Sequence, residues 1–317
     1  MYANDFMMRR ILFICCYLAA LMSGAKAHAF RDEIHYIETS DSCRLYVHVK
    51  GEGPVCLYLH GGPGSGSAWM EKLVGPVLEK RFTMVYLDQR GVCKSETPAG
   101  NDFSFDRQIR DWEEVRTALG VEEWLLMGHS WGGILMMGYW QKHPEVIDGM
   151  LFVNCTLSCG TSMEESWLPT AIDILGDQAG PVAKDVTRPL KECLMAVFPQ
   201  LNDDNRWRIF SPDRAAYEAL DSPDFHKDCI SHNGEHVLFM DEYWQDFRSL
   251  TPEVDVPVLF LFGTQDHSVG PDFHKGVHFP HAVMCGAECG HMIFIEEPAL
   301  FETCLDDYLE LYFNAPH

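Results

Sequence analysis

The sequence predicts an α/β fold: a mostly parallel sheet covered by helices on both faces, with a helical cap insertion. Three observations carry this. Short apolar runs alternate with helix-length segments between residues 55 and 154, the pattern of strands buried on both faces and joined by crossover helices. That rhythm breaks off over residues 157–250 and resumes at Val256. The chain of 317 residues, 47% hydrophobic and 22% charged, is long enough for one large domain with an insertion and too apolar for disorder.

At the N-terminus, Arg9-Arg10 is followed by the apolar run Ile11 to Met22 and then by Ser-Gly-Ala25-Lys26-Ala27. This order predicts a secretory signal peptide over residues 1–27, cleaved after Ala27, with Met7 or Met8 as an alternative start. The apolar run is shorter than the roughly 20 residues that cross a bilayer, so no stable membrane span is expected. Cys15 and Cys16 follow Leu-Phe-Ile, without the small residue that lipid attachment needs. The protein is therefore expected to be exported, periplasmic or secreted.

The core is expected to occupy residues 28–156 and 251–317, and the cap residues 157–250. Arg44 to Val49 alternates as a half-buried strand does. Val55 to Leu59, Thr83 to Leu87, Glu123 to Met127 and Met150 to Asn154 read as buried parallel strands. Between them, Trp69 to Glu79, Phe105 to Leu119 and Trp131 to Lys142 read as helices. The cap is polar and punctuated by Trp and Pro. Strands return at Val256 to Phe262 and at Ala282 to Cys285, and a last helix is expected from Pro298 to Leu311.

A net charge of −23 repels phosphate backbones and anionic lipid surfaces, which excludes nucleic acid as a partner. Of the twelve cysteines, ten lie beyond residue 27, in a chain whose expected compartment permits disulfides. Their pairing stays open. Cys155 and Cys159, or Cys285 and Cys289, are spaced for a clip, but three intervening residues make a weak zinc pattern, and no metal is expected. Cys56, in a buried strand, reads as a small apolar filler.

Gly128-His129-Ser130-Trp131-Gly132 has the form G-x-S-x-G and stands between a buried strand and a helix. In that setting the sharp turn exposes the serine as a nucleophile at the top of an α/β-hydrolase sheet. A serine hydroxyl needs a base to take its proton and a carboxylate to set that base's tautomer, in the chain order Ser, acid, His. Asp266 follows the strand ending at Phe262, and His291 follows the next one, so both fall on loops after strands, where the sites of open α/β sheets lie. His267 is adjacent to Asp266 and so is a poor geometric partner. For the oxyanion, two backbone N–H groups are needed. Trp131, after the nucleophile, and Gly62, in His60-Gly61-Gly62-Pro63-Gly64 after the strand Val55 to Leu59, are expected to supply them.

Together His60-Gly-Gly-Pro-Gly64, Asp88-Gln89-Arg90-Gly91 and Gly128-x-Ser-Trp-Gly-Gly133 resemble the proline iminopeptidase family of serine peptidases, over the whole mature chain outside the cap. The resemblance implies release of an N-terminal residue, most often proline, from short peptides, with neither metal nor organic cofactor. Such an enzyme reads a free α-ammonium, and cap carboxylates are the physical device for it. Asn233-Gly234-Glu235-His236 looks like the family's Asn-Glu-Phe segment, which makes Glu235 the expected amine-binding residue. Glu164, Glu165, Glu192 and Glu218 all stand open as a second carboxylate. The chain departs from the family at His129 and Cys93, where glycine is usual. Trp167, Trp207, Phe239 and Trp244 are candidates for the wall of an apolar pocket, or plain core.

The leading expectation is thus a serine aminopeptidase that releases proline or another small apolar residue through an acyl-enzyme. An esterase or amidase acting on small non-peptide acyl compounds would use the same machinery without an ammonium-binding carboxylate. A binding protein without turnover is disfavoured because Ser130, Asp266 and His291 are all present, and an aspartate-nucleophile hydrolase because serine occupies the elbow. The oligomeric state is left open.

Overall fold

The computed structural model describes residues 32–220, 225 and 229–313, so the expected signal peptide lies outside the described residues. Eight strands form one sheet among them: β1 (Asp32–Glu38), β2 (Arg44–Gly51), β3 (Val55–Leu59), β4 (Thr83–Leu87), β5 (Trp124–His129), β6 (Ile147–Val153), β7 (Val258–Gly263) and β8 (Ala282–Ala287). Their spatial order is β1-β2-β4-β3-β5-β6-β7-β8. β1 pairs antiparallel with β2, and β2 with β4; every later pairing is parallel. This is the α/β-hydrolase fold.

Helices α1 (Ala68–Leu73), α2 (Phe105–Ala118) and α3 (Gly132–Lys142) lie between the core strands. The insertion between β6 and β7 is helical, with α4 (Leu168–Leu175), α5 (Leu190–Val197), α6 (Trp207–Phe210), α7 (Arg214–Leu220) and α8 (His232–Val237) as its main pieces. A closing helix, α9 (Pro298–Tyr312), follows β8. Ile109, Trp112 and Val115 of α2 and Ile134 and Met137 of α3 pack on one face of the sheet. Trp69 and Met70 of α1 and Phe301, Leu305 and Tyr308 of α9 pack on the other. The insertion has its own small core, built from Trp167, Leu168, Ala171, Leu175, Leu194, Val197 and Ile209.

Three elements differ from expectation. β1 was not anticipated: it is an edge strand whose side chains, Ile34 and Tyr36 included, are mostly exposed, so it carries no burial pattern to read. β2 is buried on both faces rather than one. Leu45, Val47 and Val49 enter the core. On the opposite face the Lys94 ammonium covers the Tyr46 ring at 4.1 Å, and Glu71 of α1 takes His48 Nδ1 at 2.9 Å. The helix expected over residues 69–79 stops at Leu73 and restarts as a single turn, Gly75–Leu78, because Pro76 has no N–H to bond into the preceding turn.

Neither suggested cysteine clip forms: Cys155, Cys159 and Cys289 are buried free thiols, as is Cys56. Cys285 instead joins Cys304, tying β8 to α9, and Cys93 joins Cys229, tying the loop after β4 to the insertion. At the second junction the Cys93 N–H also donates to the Ile230 carbonyl at 3.0 Å, and Val92 bridges Ser231. The cysteine at position 93 is thus an anchor for the cap. Among the described residues, no helix is long and apolar enough to cross a membrane.

Candidate active site

Ser130 lies in the turn between β5 and α3 with a φ of 57°, a left-handed conformation that non-glycine residues rarely adopt. The strain is held from three sides: the Ser130 N–H donates to the Val153 carbonyl at 3.3 Å, and the Ser130 carbonyl accepts from Gly133 and Thr156 at 3.2 and 3.1 Å. Gly132 is required there, because a Cβ would run into the Leu59 carbonyl at the end of β3. That close approach sets the elbow against the start of the glycine-rich loop.

Asp266 and His291 meet as expected. Both are buried, and the His291 Nδ1 donates to Asp266 Oδ2 at 2.8 Å. Asp266 Oδ1 accepts the N–H groups of Ser268 and Val269 at 2.9 and 3.1 Å, which orients the carboxylate and leaves Oδ2 for the imidazole. With Nδ1 protonated, Nε2 of His291 is the basic nitrogen. Ser130 and His291 line one cavity. His267 takes no part in the dyad; its carbonyl accepts the Ser166 hydroxyl at 3.0 Å.

Gly62 and Trp131 also line that cavity, and among the described residues the N–H of neither has an intramolecular acceptor. Gly62 has a φ of 112°, open to glycine alone, so the loop can turn its amide in this way. The residues Asp88-Gln89-Arg90 brace the loop. Gln89 donates its N–H to His60 Nε2 at 3.2 Å and its side-chain amide to the His60 carbonyl at 3.1 Å. His60 therefore carries its proton on Nδ1, which faces the Gly61 carbonyl at 3.2 Å. Asp88 Oδ1 accepts both the N–H and the hydroxyl of Ser67 at 2.8 Å. Arg90 is fully buried between Asp111 and Asp41, with two hydrogen bonds to each.

Two residues of the site were not anticipated in these roles. Asn154, just past β6 and at a φ of 46°, donates Nδ2 to Asp266 Oδ2 at 3.3 Å and to the Gly290 carbonyl at 3.0 Å, and accepts the Ile293 N–H at 3.3 Å. It thereby holds the acid and both flanks of His291 at once. An asparagine at the carboxyl end of a buried strand was the available signal. His129, where the resemblance has glycine, is buried against the His291 ring, with centroids 4.6 Å apart, and its Nε2 faces the His291 carbonyl at 2.9 Å. Burial, reinforced by the neighbouring His291, holds its pKa well below the usual histidine range. It is neutral, and Nε2–H is the donor.

Replacing Asn154 by alanine leaves the Ile293 N–H and the Gly290 carbonyl without these bonds, each worth about 1–3 kcal/mol when buried and unsatisfied. The expected result is a fall in kcat of about tenfold to a hundredfold with KM little changed. Steady-state kinetics checks it; wild-type kcat with only a lowered Tm would show that Asn154 braces the loops without positioning the acid.

The cavity holds about 530 Å³ beneath the cap. Trp69, Met163, Trp167, Phe198, Leu201, Phe210, Leu220 and Leu238 make most of its wall. Of the four aromatic candidates only Trp167 is among them. Trp244 packs beneath the cap, Trp207 donates its Nε1 to the Asp204 carbonyl at 3.1 Å, and Phe239 is exposed. Glu235 does not line the cavity: its side chain is 74% exposed and lies 3.7 Å from His232. Glu164, Glu165, Glu192 and Glu218 lie outside the cavity wall as well, so no described carboxylate lines it. Among the described residues, no group of three His, Cys, Asp or Glu is placed to hold a metal ion.

Comparison with known proteins agrees with the fold. A sequence model of the alpha/beta hydrolase fold matches residues 54–191. A putative proline iminopeptidase of Mycoplasma genitalium is 37% identical over 119 residues, 36% of this chain and 37% of that protein. The match thus spans little more than a third of the relative's length. A proline iminopeptidase of Lactobacillus delbrueckii subsp. lactis is 27% identical over 296 residues, 84% of this chain and 93% of that one. Among solved structures, a proline iminopeptidase-related protein of Thermus thermophilus superposes with a TM-score of 0.72 at 24% identity, over 90% of this chain and all of that one.

Proposed function

The chain belongs to the proline iminopeptidase family within the α/β-hydrolase superfamily, and from that premise we propose that it is a serine hydrolase cleaving the amide or ester of a small apolar acyl group. The observation that carries the reading is the joint placement of Ser130 and an Asp266-oriented His291 in one apolar cavity. The Ser130 oxygen attacks the scissile carbonyl while His291 Nε2 takes its proton. Negative charge develops on the carbonyl oxygen and is met by the Gly62 and Trp131 N–H groups. The intermediate collapses, His291 returns the proton to the leaving amine or alcohol, and the acyl group stays on Ser130 as an ester. Water, deprotonated by His291, then hydrolyses that ester and frees the acid. Asp266 stays ionised and stabilises the imidazolium in both halves.

The relatives' names support an N-terminal proline as the acyl group. The cavity supports a second reading, an esterase or amidase taking a small non-peptide acyl group that bears no ammonium, because no described carboxylate lines it to pair with one. Export belongs to the same proposal; the two disulfides support it, since such bonds persist in oxidising compartments.

The test compares a prolyl amide reporter, its N-acetylated counterpart and a short-chain ester. Cleavage of the free-amine substrate alone would establish the aminopeptidase. Cleavage of the acetylated amide or the ester, with the prolyl amide left intact, would establish the second reading. If none is cleaved and a fluorophosphonate fails to label Ser130, the hydrolase proposal is lost.

A further inference from the structure

Among the described residues, one cation stands in a cavity wall that is otherwise apolar or neutral. Arg206, at the start of α6, lines the same cavity as Ser130 and His291, in a chain that carries 47 acidic side chains against 24 basic ones. Its Nε donates to the Tyr217 hydroxyl at 2.8 Å, and Tyr217 lines the cavity beside it. Nη2 donates to Asp203 Oδ1 at 2.9 Å, and Nη1 has no partner among the described residues. Asp203 is 81% exposed and Arg206 39%, so this ion pair sits in water and yields readily to a better acceptor. A guanidinium presents donors in a planar fork that matches a carboxylate.

On the reading that Ser130 is the nucleophile, we infer that Arg206 recognises a carboxylate carried by the substrate away from the scissile bond, so that the enzyme prefers short substrates with one free acid group. The physical need is plain. A net charge of −23 repels an anionic substrate at long range, and only a local cation inside the cavity offsets that repulsion. The volume of about 530 Å³ suits a compound of dipeptide size, in which a terminal carboxylate reaches the wall while the carbonyl meets Ser130. The acid group sits either on the leaving portion, as in a dipeptide, or at the far end of the acyl chain, as in a dicarboxylic monoester.

Two substrate pairs that differ only in that group separate these cases: prolyl-glycine against prolyl-glycinamide, and an aryl monoester of adipic acid against the aryl ester of hexanoic acid. The measurement is the ratio of kcat/KM, acid over neutral, within each pair, at low and at raised ionic strength. Charge-assisted hydrogen bonding predicts that Arg206→Gln lowers the ratio by about tenfold or more in at least one pair, chiefly through KM. Asp203→Asn, which frees the guanidinium, is expected to raise the same ratio by up to about fivefold. The pair that responds tells which side of the substrate carries the acid. A calorimetric Kd for each compound on the Ser130→Ala protein reads the same preference without turnover. If Arg206→Gln weakens both members of each pair alike, or Asp203→Asn leaves the ratio where it was, the assignment is overturned. Preserved binding preference with no turnover would overturn the hydrolase reading alone.

Discussion

Ser130→Ala is expected to lower kcat/KM by a factor on the order of 10⁵ to 10⁶, with binding of uncleaved ligand retained. Every route to the acyl-enzyme passes through this oxygen, and the strained backbone at φ 57° serves only to present it. Alanine keeps the turn, since the bonds from Ser130 to Val153, Gly133 and Thr156 are all made by its backbone. The variant should therefore fold with a Tm close to the parent's, or slightly higher, and show no burst of leaving group. Turnover within tenfold of the parent would place the nucleophile elsewhere.

Asp266→Asn should cost about 10⁴ in kcat, the loss expected when a triad histidine is held in the wrong tautomer. The structure says which way the new amide turns. Ser268 and Val269 both donate N–H to the position of Oδ1, so the amide oxygen must sit there and the NH₂ must face His291. Nδ1 of His291 then has to accept, which puts the ring proton on Nε2, and that nitrogen can no longer take a proton from Ser130. The same NH₂ also meets the Asn154 Nδ2–H₂, a donor against a donor where a hydrogen bond of 3.3 Å stood before. A loss of about 1–3 kcal/mol in stability should accompany the loss of rate. Stopped-flow acylation together with thermal unfolding reads both quantities. A variant that keeps most of its acylation rate would mean that the Asp266–His291 contact is only structural.

The core of the fold was legible because its strands are buried on both faces: Val55 to Leu59 and Thr83 to Leu87 appear in the structure with the predicted bounds. What hid was whatever lacks a burial pattern. β1 pairs with β2 over seven residues yet keeps most side chains in solvent, and the break at Val74 in the first core helix depends on one proline. The cysteine pairs were likewise out of reach. Cys93 and Cys229 are 136 residues apart, and no spacing rule acts over that distance.

The sequence by itself determined the elbow, the glycine-rich loop and the two loops that carry Asp266 and His291, because each follows directly from a strand end and obeys local rules of turn and chain order. Tertiary structure alone decided what surrounds them. Asn154 reaches Asp266 across 112 residues and His129 reaches the His291 carbonyl across 162, so their roles exist only once β5, β6, β7 and β8 lie side by side. In the cap, a glutamate that the motif suggested for the substrate's amine turned out exposed, while Arg206 came to line the cavity. The helix that follows Arg206 is a single turn, Trp207–Phe210, too short for any periodicity to orient its side chains in advance. Which of them faces the substrate is set by how that small, separate core packs above the sheet.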